Sequence, residues 1–304
     1  MKQVKKDCDL SPVVLFTYKR LSVTQRVINA LLMNPEARYS NLIVFSDGPK
    51  YAEDDQIHEV RQYLRSLSGF NSIELIFREQ NLGLADSFIN GITEVLNRFD
   101  SAIFIEDDNL VSPGFLSFMN NGLEVYKDDG RVSCISGYTY PIWPQQRRPF
   151  FIRGAETWSM ATWRRSWQHF CSDARLLKAE LEKRNLVTKF SIDGFRFYPM
   201  LESQIRGEID SWGVRWWTSA FVKDMYCLYP HLPLCVSIGY GEDSVHCKGG
   251  YNPIFRRPSD LVSEIGFGNL PKKVSQTFRT AASIMLMNHL LLKLKSGLLR
   301  VIAK

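Results

Sequence analysis

The sequence lacks several features that define other classes of protein. It has no run of about 18 uncharged apolar residues, so we expect no transmembrane helix. The opening stretch MKQVKKDCDLSP holds no apolar segment, so we expect no signal peptide. None of the six cysteines forms a C-x-x-C pair, which in a chain of 304 residues is typical of reduced thiols. Together these absences predict a cytoplasmic protein.

Nucleic-acid binding is also not expected, although the net charge is +6. The basic residues are scattered, and no fingerprint of an RNA- or DNA-binding module is present. The composition, 45% hydrophobic and 23% charged, is that of an ordinary globular protein with a substantial core. A mildly basic surface suits anionic ligands such as nucleotides.

The first half of the chain alternates strand and helix patterns. Continuous apolar runs such as PVVLFTY are typical of strands buried on both faces. Segments with helical spacing lie between them, and we expect Ser22 to cap the first. The alternation predicts an α/β fold with a mostly parallel, Rossmann-like sheet flanked by helices. The predicted strands are 12–18, 41–49, 72–79 and 101–108, and the predicted helices are 22–34, 52–67 and 84–98.

The second half has a different pattern. From residue 131 onward the predicted strands are short, and all seven Trp lie between positions 143 and 217. No linker separates the two halves, so we expect one domain over 1–275, with halves at about 11–130 and 131–275. Residues 276–304 are predicted to form an amphipathic helical extension.

Polar groups follow all four predicted strands of the first half. The carboxyl ends of parallel strands meet at one edge of a sheet, where such folds bind ligands. One polar strand end is ordinary, but four in succession indicate a polar ligand lying across that edge. The four ends are Thr17-Tyr18-Lys19-Arg20, Ser46-Asp47-Gly48, Arg78-Glu79-Gln80-Asn81 and Glu106-Asp107-Asp108.

The three acids at the last of these ends need a physical reason, because neighbouring carboxylates repel each other. A hard divalent cation would neutralise them. Mg²⁺ or Mn²⁺ is usually held by one or two carboxylates while substrate phosphates complete the shell. The alternative is a solvated turn whose acids cap a helix. In this position we favour a metal–diphosphate site.

The motifs in their order resemble a known family. VVLFTYKR, VFSDGP, REQNLGLADSFINGI and FIEDDNLVSPGFLSFM are similar to segments of nucleotide-sugar glycosyltransferases of the GT-A fold. They are most similar to bacterial sugar transferases related to glycosyltransferase family two. The resemblance covers about residues 11–255. It implies a nucleotide-binding first half and an acceptor-binding second half.

The resemblance also implies roles for individual residues. Asp108, the last acid, would be the metal ligand, and Asp107 would face the donor sugar or ribose. The first two strand ends would hold the nucleobase and ribose, and Arg78 would lie near the diphosphate. The residues expected at the nucleotide sugar are Thr17, Tyr18, Arg20, Asp47, Arg78, Asn81, Gly83, Asp86 and Asp107.

A base must take the proton from the attacking hydroxyl group. The candidates are Asp210 and Glu208 in RGEIDSWGVRWW. Asp210 precedes a predicted helix whose N-terminal dipole would hold a carboxylate ionised, and related enzymes carry an acid in this region. The alternative is that Asp210 or Ser211 simply caps that helix.

One histidine enters the hypothesis through the resemblance. VSIGYGEDSVHC is similar to the family's late segment, in which a closing His completes the metal site or contacts the diphosphate. Here that residue is His246, although a lone His is often structural.

The segment ETWSMATWRRSW is interpreted as part of the acceptor side. Aromatic faces such as those of Trp158 and Trp163 stack on sugar rings, and Arg164 could meet an anionic acceptor. The alternative is an aromatic core segment. Related enzymes tend to carry a Gly-aromatic pair where Ser159-Met160 stand here.

The last 28 residues, 277–304, place a Leu stripe beside Lys and Arg. They form either an ordinary docked helix or a peripheral anchor on the anionic inner face of the cell membrane.

The combined expectation is a metal-dependent glycosyltransferase of the hexosyl or N-acetylhexosaminyl class. It would use Mn²⁺ or Mg²⁺ and a nucleotide-diphosphate sugar, foremost a UDP-sugar, to extend a glycan or lipid-linked acceptor in bacterial surface polysaccharide synthesis. With a well-placed base the transfer would be a single inverting displacement. Two alternatives stay open: a catalytically silent sugar- or nucleotide-binding protein of the same fold, and a sugar nucleotidyltransferase. The second would need a Gly-rich loop after the first strand, and FTYKRLSVT has no Gly.

Overall fold

The computed structural model describes residues 10–51, 54–140, 146–190, 197–239, 261–263 and 270–274. Most of its strands form one large sheet. The strands are β1 (Val13–Thr17), β2 (Asn41–Ser46), β3 (Ser72–Phe77), β4 (Ser101–Glu106), β5 (Asn109–Val111), β6 (Val132–Ser136), β7 (Phe150–Arg153), β8 (Met160–Trp163), β9 (Tyr226–Tyr229) and β10 (Cys235–Ser237).

The large sheet has eight strands in the order β3-β2-β1-β4-β8-β6-β9-β7. The first four are parallel, β8 is antiparallel to both of its neighbours, β9 is parallel to β6, and β7 is antiparallel to β9. Six of the eight strands therefore share one direction. This confirms the predicted α/β fold with a mostly parallel sheet, and β5 and β10 form a separate antiparallel pair.

Helices flank the sheet. They are α1 (Leu21–Leu32), α2 (Asp55–Arg65), α3 (Gly83–Arg98), α4 (Phe115–Val125), α5 (Arg164–Trp167), α6 (Ala174–Lys183), α7 (Val187–Phe190), α8 (Phe197–Ile205) and α9 (Trp212–Val222).

The core lies between the sheet and these helices. Every residue of β1 is buried, and so are the four apolar residues in the middle of β4. The continuous apolar runs of the sequence therefore mark strands covered on both faces, as expected for parallel strands. One prediction about the helices is wrong. Ser22 does not cap α1, because helical hydrogen bonding starts at the Arg20 carbonyl and Ser22 lies inside the first turn.

The described part of the C-terminal region docks on the first domain half. The Tyr126 hydroxyl donates to the Pro271 carbonyl at 2.7 Å, and Val274 is buried in the core. None of the helices in the described residues is long and apolar enough to span a membrane. The predicted helix at 276–304 and His246 lie outside the described residues, and the division into two halves stays a prediction.

Candidate functional site

The four strand ends singled out in the sequence lie side by side. In the register of the sheet, Thr17 faces Ser46, Ser46 faces Phe77, and Phe16 faces Glu106. The polar residues that follow β1, β2, β3 and β4 therefore leave the sheet along one edge, here called the carboxyl edge. Glu106, Asp107 and Asp108, here called the acidic cluster, stand at its centre.

Arg20 binds two members of the acidic cluster. Its Nη2 donates to Asp107 Oδ1 at 2.6 Å and to Asp108 Oδ2 at 3.0 Å. Burial raises the pKa of Asp107 to about 6, against the opposing effect of the Arg20 charge. Burial, reinforced by the charges of Asp108 and Asp107, also holds the pKa of Glu106 well above its ordinary value. Burial therefore disfavours the charged forms of Glu106 and Asp107 even with Arg20 in place.

The acidic cluster has the donors that a hard divalent cation prefers. Within the described residues, no group of three or more His, Cys, Asp or Glu side chains is arranged as a complete metal site. Asp107 Oδ2 is nevertheless buried and has no hydrogen-bond partner among those residues. Since Mg²⁺ and Mn²⁺ take one or two protein carboxylates and fill the remaining positions with water and phosphate, Asp107 and Asp108 fit such an ion.

The chain returns to the acidic cluster just before the segment that contains His246. The Ile238 amide donates to the Asp108 carbonyl at 2.7 Å. Gly239 lies so close to Asp108 that a Cβ at this position would overlap the carboxylate. Glycine is therefore required at 239 for Asp108 to keep its position.

Asp47 is bound by the protein around it. Its two oxygens accept from the amides of Gly48, Leu82 and Gly83, at 3.0 to 3.1 Å, and from Asn81 Nδ2 at 3.0 Å. The carboxylate thus lies against the N-terminus of α3, where free amides and the helix dipole favour a negative charge. Asp47 and Asn81 join the ends of β2 and β3, an arrangement that the sequence did not reveal.

Other groups on the carboxyl edge have unused polar atoms. Thr17 Oγ1 and the Nε and Nη2 atoms of Arg78 are buried without a hydrogen-bond partner in the described part of the chain. Arg78 lies over the Phe45 ring, at 5.1 Å from its centroid. Asp86 is exposed in the first turn of α3. Unpaired buried donors beside a carboxylate cluster are typical of a site that binds a polar ligand.

A cleft of about 720 Å³ opens at the ends of β2 and β3. Tyr18 lies beside it, and burial, with the charges of Asp54 and Asp47, raises its pKa. A cleft of this size accommodates a nucleotide-sized ligand. Its lining consists of Pro49, Lys50, Tyr51, Glu79, Gln80 and Asn81.

Arg61 organises the same region, and the sequence analysis missed it. From α2, its Nη2 donates to the carbonyls of Ser46 at 3.3 Å, Asp47 at 3.1 Å and Arg78 at 2.6 Å. Its Nε donates to Ser46 Oγ at 3.2 Å. The sequence signal that could have identified Arg61 is its position one turn after the buried Ile57, on the helix face that packs on the sheet.

The two candidate bases differ in their surroundings. Hydrogen bonds from Arg206 and Ser203 lower the pKa of the exposed Glu208 to about 2, which makes it a poor base at neutral pH. Asp210 is exposed and binds Arg215 Nη2 at 2.9 Å. The cap of α9 is Ser211, whose Oγ accepts from the Val214 amide.

A stack of aromatic rings connects the start of α9 to the carboxyl edge. Phe16, near the end of β1, stacks on Phe88 of α3 at a centroid distance of 4.0 Å. Phe88 stacks in turn on Trp212, the first residue of α9, at 5.0 Å. Two ring contacts therefore link Trp212, two residues after Asp210, to the end of β1.

The expected acceptor residues do not all lie together. Trp163 is buried and pairs with Ser101, at the opposite end of β4 from the acidic cluster. Arg164 follows it and binds Asp100 at 3.1 Å. Glu106 lies five residue steps beyond Ser101 along β4, roughly 17 Å at the usual rise. The structure therefore does not bring Trp163 or Arg164 to the carboxyl edge.

Trp158, by contrast, lies at the carboxyl edge. Since Phe104 pairs with Met160, the antiparallel register brings the residues before Met160 beside the end of β4. The Trp158 ring packs edge-on against Tyr138, at 4.8 Å between centroids. Ser159 has φ 45°, a left-handed conformation that glycine adopts with less strain.

A buried carboxylate supports the segment that carries Trp158. Glu156 Oε2 accepts from the hydroxyls of Tyr140 at 3.0 Å and Tyr229 at 3.2 Å, and its Oε1 accepts from the Thr157 amide. Burial raises the pKa of Glu156, although these hydrogen bonds oppose the shift. No local pattern could have identified Glu156, because its tyrosine partners lie 16 and 73 residues away in the sequence.

Comparison with known proteins relates this site to a family. The model of the family described as "Glycosyl transferase family 2" matches residues 13–186, more than half of the chain. No curated protein matches the chain.

Among solved structures, the chain is similar to S. aureus TarS, with 14% identity and a TM-score of 0.29 over 41% of this chain and 21% of that one. It is also similar to the mannosyltransferase PcManGT from Pyrobaculum calidifontis, solved with GDP-Man and Mn²⁺. Here the identity is 13% and the TM-score 0.35, over 59% of this chain and 50% of that one. The chain thus spans half or less of the length of both proteins. These similarities are too weak to identify a substrate. The assignment of the chain to a family depends on the family model that matches residues 13–186.

Proposed function

The chain belongs to glycosyl transferase family 2, and on that basis we propose that it transfers a sugar from a nucleotide-diphosphate sugar to a glycan or lipid-linked acceptor in bacterial surface polysaccharide synthesis. The observation that supports this most directly is the convergence of the Asp107 and Asp108 carboxylates on one cationic nitrogen at the carboxyl edge. A cleft of about 720 Å³ at the ends of β2 and β3 provides room for the nucleotide.

The nucleotide lies across the ends of β1, β2 and β3 in this proposal. Tyr18 borders the cleft, and Thr17 offers an unpaired hydroxyl. Asp47, with Asn81 and Gly83, shapes the floor through bonds within the protein. We take UDP as the first donor nucleotide to test, and the proposal holds for any nucleoside diphosphate with this placement.

The diphosphate lies between the acidic cluster and Arg78 in this proposal. The unpaired Nε and Nη2 of Arg78 donate to phosphate oxygens. Asp108, with Asp107 beside it, holds Mn²⁺ or Mg²⁺, and His246 is proposed as a further ligand or phosphate contact. When bound, the metal neutralises the charge that develops on the leaving diphosphate.

Asp210 acts as the general base. Its carboxylate takes the proton from the acceptor hydroxyl, whose oxygen bonds to the anomeric carbon of the sugar as the bond to the diphosphate oxygen breaks. A single displacement of this kind inverts the configuration at that carbon. Trp158 is the proposed acceptor contact, since it is the expected aromatic residue that lies at the carboxyl edge.

The metal site is tested by calorimetry with UDP and Mn²⁺ on the wild type and on Asp108→Asn. The variant keeps the size of the side chain but loses its charge, so we expect Mn²⁺-dependent UDP binding to weaken by at least about 10²-fold. Asp129→Asn is the matched control, because Asp129 pairs with Arg131 at the other end of the sheet. Its binding should equal that of the wild type.

The outcomes separate the proposal from its main rival. If Asp108→Asn still binds UDP in a metal-dependent way, the acidic cluster is not the metal site. If the wild type binds UDP and Mn²⁺ but hydrolyses no nucleotide sugar in a screen with Mn²⁺ present, the chain is a silent binding protein on the same fold.

A further inference from the structure

Arg20 places one nitrogen between two carboxylates of the acidic cluster. The same Nη2 atom lies 2.6 Å from Asp107 Oδ1 and 3.0 Å from Asp108 Oδ2. All three side chains are largely shielded from water, with exposed fractions of 24% for Arg20, 8% for Asp107 and 18% for Asp108. Shielded charges interact much more strongly than exposed ones.

The backbone explains why Arg20 is available for this contact. Arg20 is the N-cap residue of α1, and its carbonyl accepts from the Thr24 amide at 2.9 Å. Its side chain takes no part in capping the helix. Within the described residues, the recorded hydrogen bonds of its guanidinium go to these two carboxylates.

A divalent cation that bridges Asp107 Oδ1 and Asp108 Oδ2 cannot coexist with this contact, whereas a cation bound only to the free Asp107 Oδ2 would leave Arg20 in place. Mg²⁺ binds carboxylate oxygens at about 2.0–2.1 Å, which places it in the space that Nη2 occupies. The formal charges point the same way: two carboxylates carry −2, whereas Arg20 and the metal together carry +3. A diphosphate supplies the missing negative charge and offers the guanidinium new acceptors.

We propose that Arg20 is an internal counter-cation that keeps a divalent metal off Asp107 and Asp108 until a nucleoside diphosphate arrives, whereupon its guanidinium moves to the phosphate oxygens. This inference rests on the proposed function, since it assumes that the acidic cluster binds metal with a diphosphate. Metal and diphosphate then bind cooperatively, and each increases the affinity of the other by the same factor.

The test measures Mn²⁺ binding from the electron paramagnetic resonance signal of free Mn²⁺, with and without UDP. In the wild type we expect UDP to tighten Mn²⁺ binding by about tenfold or more, within the usual range of coupling between sites. Arg20→Gln removes the counter-cation, so it should bind Mn²⁺ alone about tenfold more tightly than the wild type does. UDP should then tighten Mn²⁺ binding by a smaller factor than in the wild type, because only the coordination by phosphate oxygens remains.

Two further variants make the result specific. Arg20→Lys retains a positive charge and should restore part of the UDP dependence. Arg131→Gln is the matched control, because Arg131 pairs with Asp129 at the other end of the sheet. It should leave both affinities unchanged. A variant that merely unfolded the site would weaken Mn²⁺ binding, which is the opposite of the expected change.

The inference is overturned if Arg20→Gln binds Mn²⁺ alone no more tightly than the wild type does. If in that case Mn²⁺ and UDP still bind together to the wild type, only the role of Arg20 is wrong. If neither protein binds Mn²⁺ with or without UDP, both the role of Arg20 and the proposed metal site are wrong.

Discussion

Asp210 and Ser211 are neighbours in the sequence whose side chains have different partners. Ser211 caps α9 through a hydrogen bond from the Val214 amide at 3.2 Å. Asp210 is left outside the helix, with Arg215 as its partner at 2.9 Å. Capping therefore accounts for Ser211 but not for the acid before it, which pairs with Arg215 instead.

This difference allows a paired experiment on the proposed base. Asp210→Asn should retain the affinity for UDP and Mn²⁺ but lose turnover by roughly 10²-fold or more, because only proton removal is affected. Ser211→Ala should retain turnover and lower the free energy of unfolding by about 1 kcal/mol, the usual cost of a lost cap. Turnover is measured as donor consumption with the nucleotide sugar that gives the largest thermal shift.

The paired experiment also has a clear negative result. If Asp210→Asn keeps near-normal turnover, Asp210 is not the base. Glu208→Gln then tests the second candidate, whose low pKa makes it the weaker one.

Asp47 shows what a single sequence leaves out. Its position at a strand end correctly indicated the carboxyl edge. Nothing in the sequence showed that the free amides of Leu82 and Gly83, together with Asn81, would surround its carboxylate. A strand end fixes where a polar group lies, whereas its partners depend on how two loops close against each other.

At the scale of elements, α2 contributes to the site through one side chain. Arg61 donates to carbonyls that follow β2 and β3, and its guanidinium stacks on Phe77 at 5.0 Å. These loops border the cleft proposed for the nucleotide. Arg61 is thus a positioning residue that has no contact with the reacting atoms.

We expect Arg61→Leu to remove the side-chain donor from three backbone carbonyls, of which that of Ser46 keeps the Arg78 amide at 3.0 Å. Each buried carbonyl that loses its partner costs about 1–3 kcal/mol, so the free energy of unfolding should fall and UDP affinity should drop in parallel. Arg61→Lys keeps the positive charge but lacks the planar guanidinium with its several donors. It should therefore recover only part of the lost free energy of unfolding and only part of the lost UDP affinity. Chemical denaturation and calorimetry on the same samples give the two values.

A matched change elsewhere on α2 serves as the control. Arg65 also stacks on Phe77, at 4.9 Å, and it has no hydrogen bond to the loops among the recorded contacts. Arg65→Leu should therefore leave UDP affinity unchanged. If Arg61→Leu also leaves it unchanged, the two loops do not depend on Arg61.

The elements of the first half could be predicted from the sequence because their signals are local. β1, β2 and β4 are apolar runs covered on both faces, and their observed bounds fall within the predicted ones. In the second half, the direction of β8 and the position of Trp163 depend on long-range pairing with β4. Local pattern cannot supply that register, so the sequence could not show that Trp163 and Arg164 lie at the end of β4 away from the carboxyl edge.

At the scale of the whole molecule, β4 and β8 join the first four strands of the sheet to the later ones. The acidic cluster ends β4, and the aromatic segment with Trp158 precedes β8, so the antiparallel pair brings one part from each half to the carboxyl edge. The buried Glu156 holds that segment to tyrosines that follow β6 and end β9. The sheet thus determines where donor and acceptor would meet.

The C-terminal region is connected to the opposite side of the sheet. Tyr126, which binds the Pro271 carbonyl at 2.7 Å, lies just after α4 and shortly before the start of β6. Val274 is 5% exposed and belongs to the core. A truncation that tests the last helix should therefore end at Val274, so that these contacts are kept.

We expect full-length protein to bind vesicles of anionic phospholipid more tightly than a chain ending at Val274. The predicted helix at 277–304 combines a Leu stripe with Lys293, Lys295 and Arg300, and basic residues near an anionic surface contribute about 1 kcal/mol each.

Replacing these three residues by Gln should remove the preference for anionic over neutral vesicles while the Leu stripe is retained. Added salt should weaken the binding of the full chain for the same reason. Cosedimentation measures the vesicle binding in each of these comparisons. Equal binding by the full chain and the truncation, together with a lower melting temperature for the truncation, would mean that the helix docks on the protein instead.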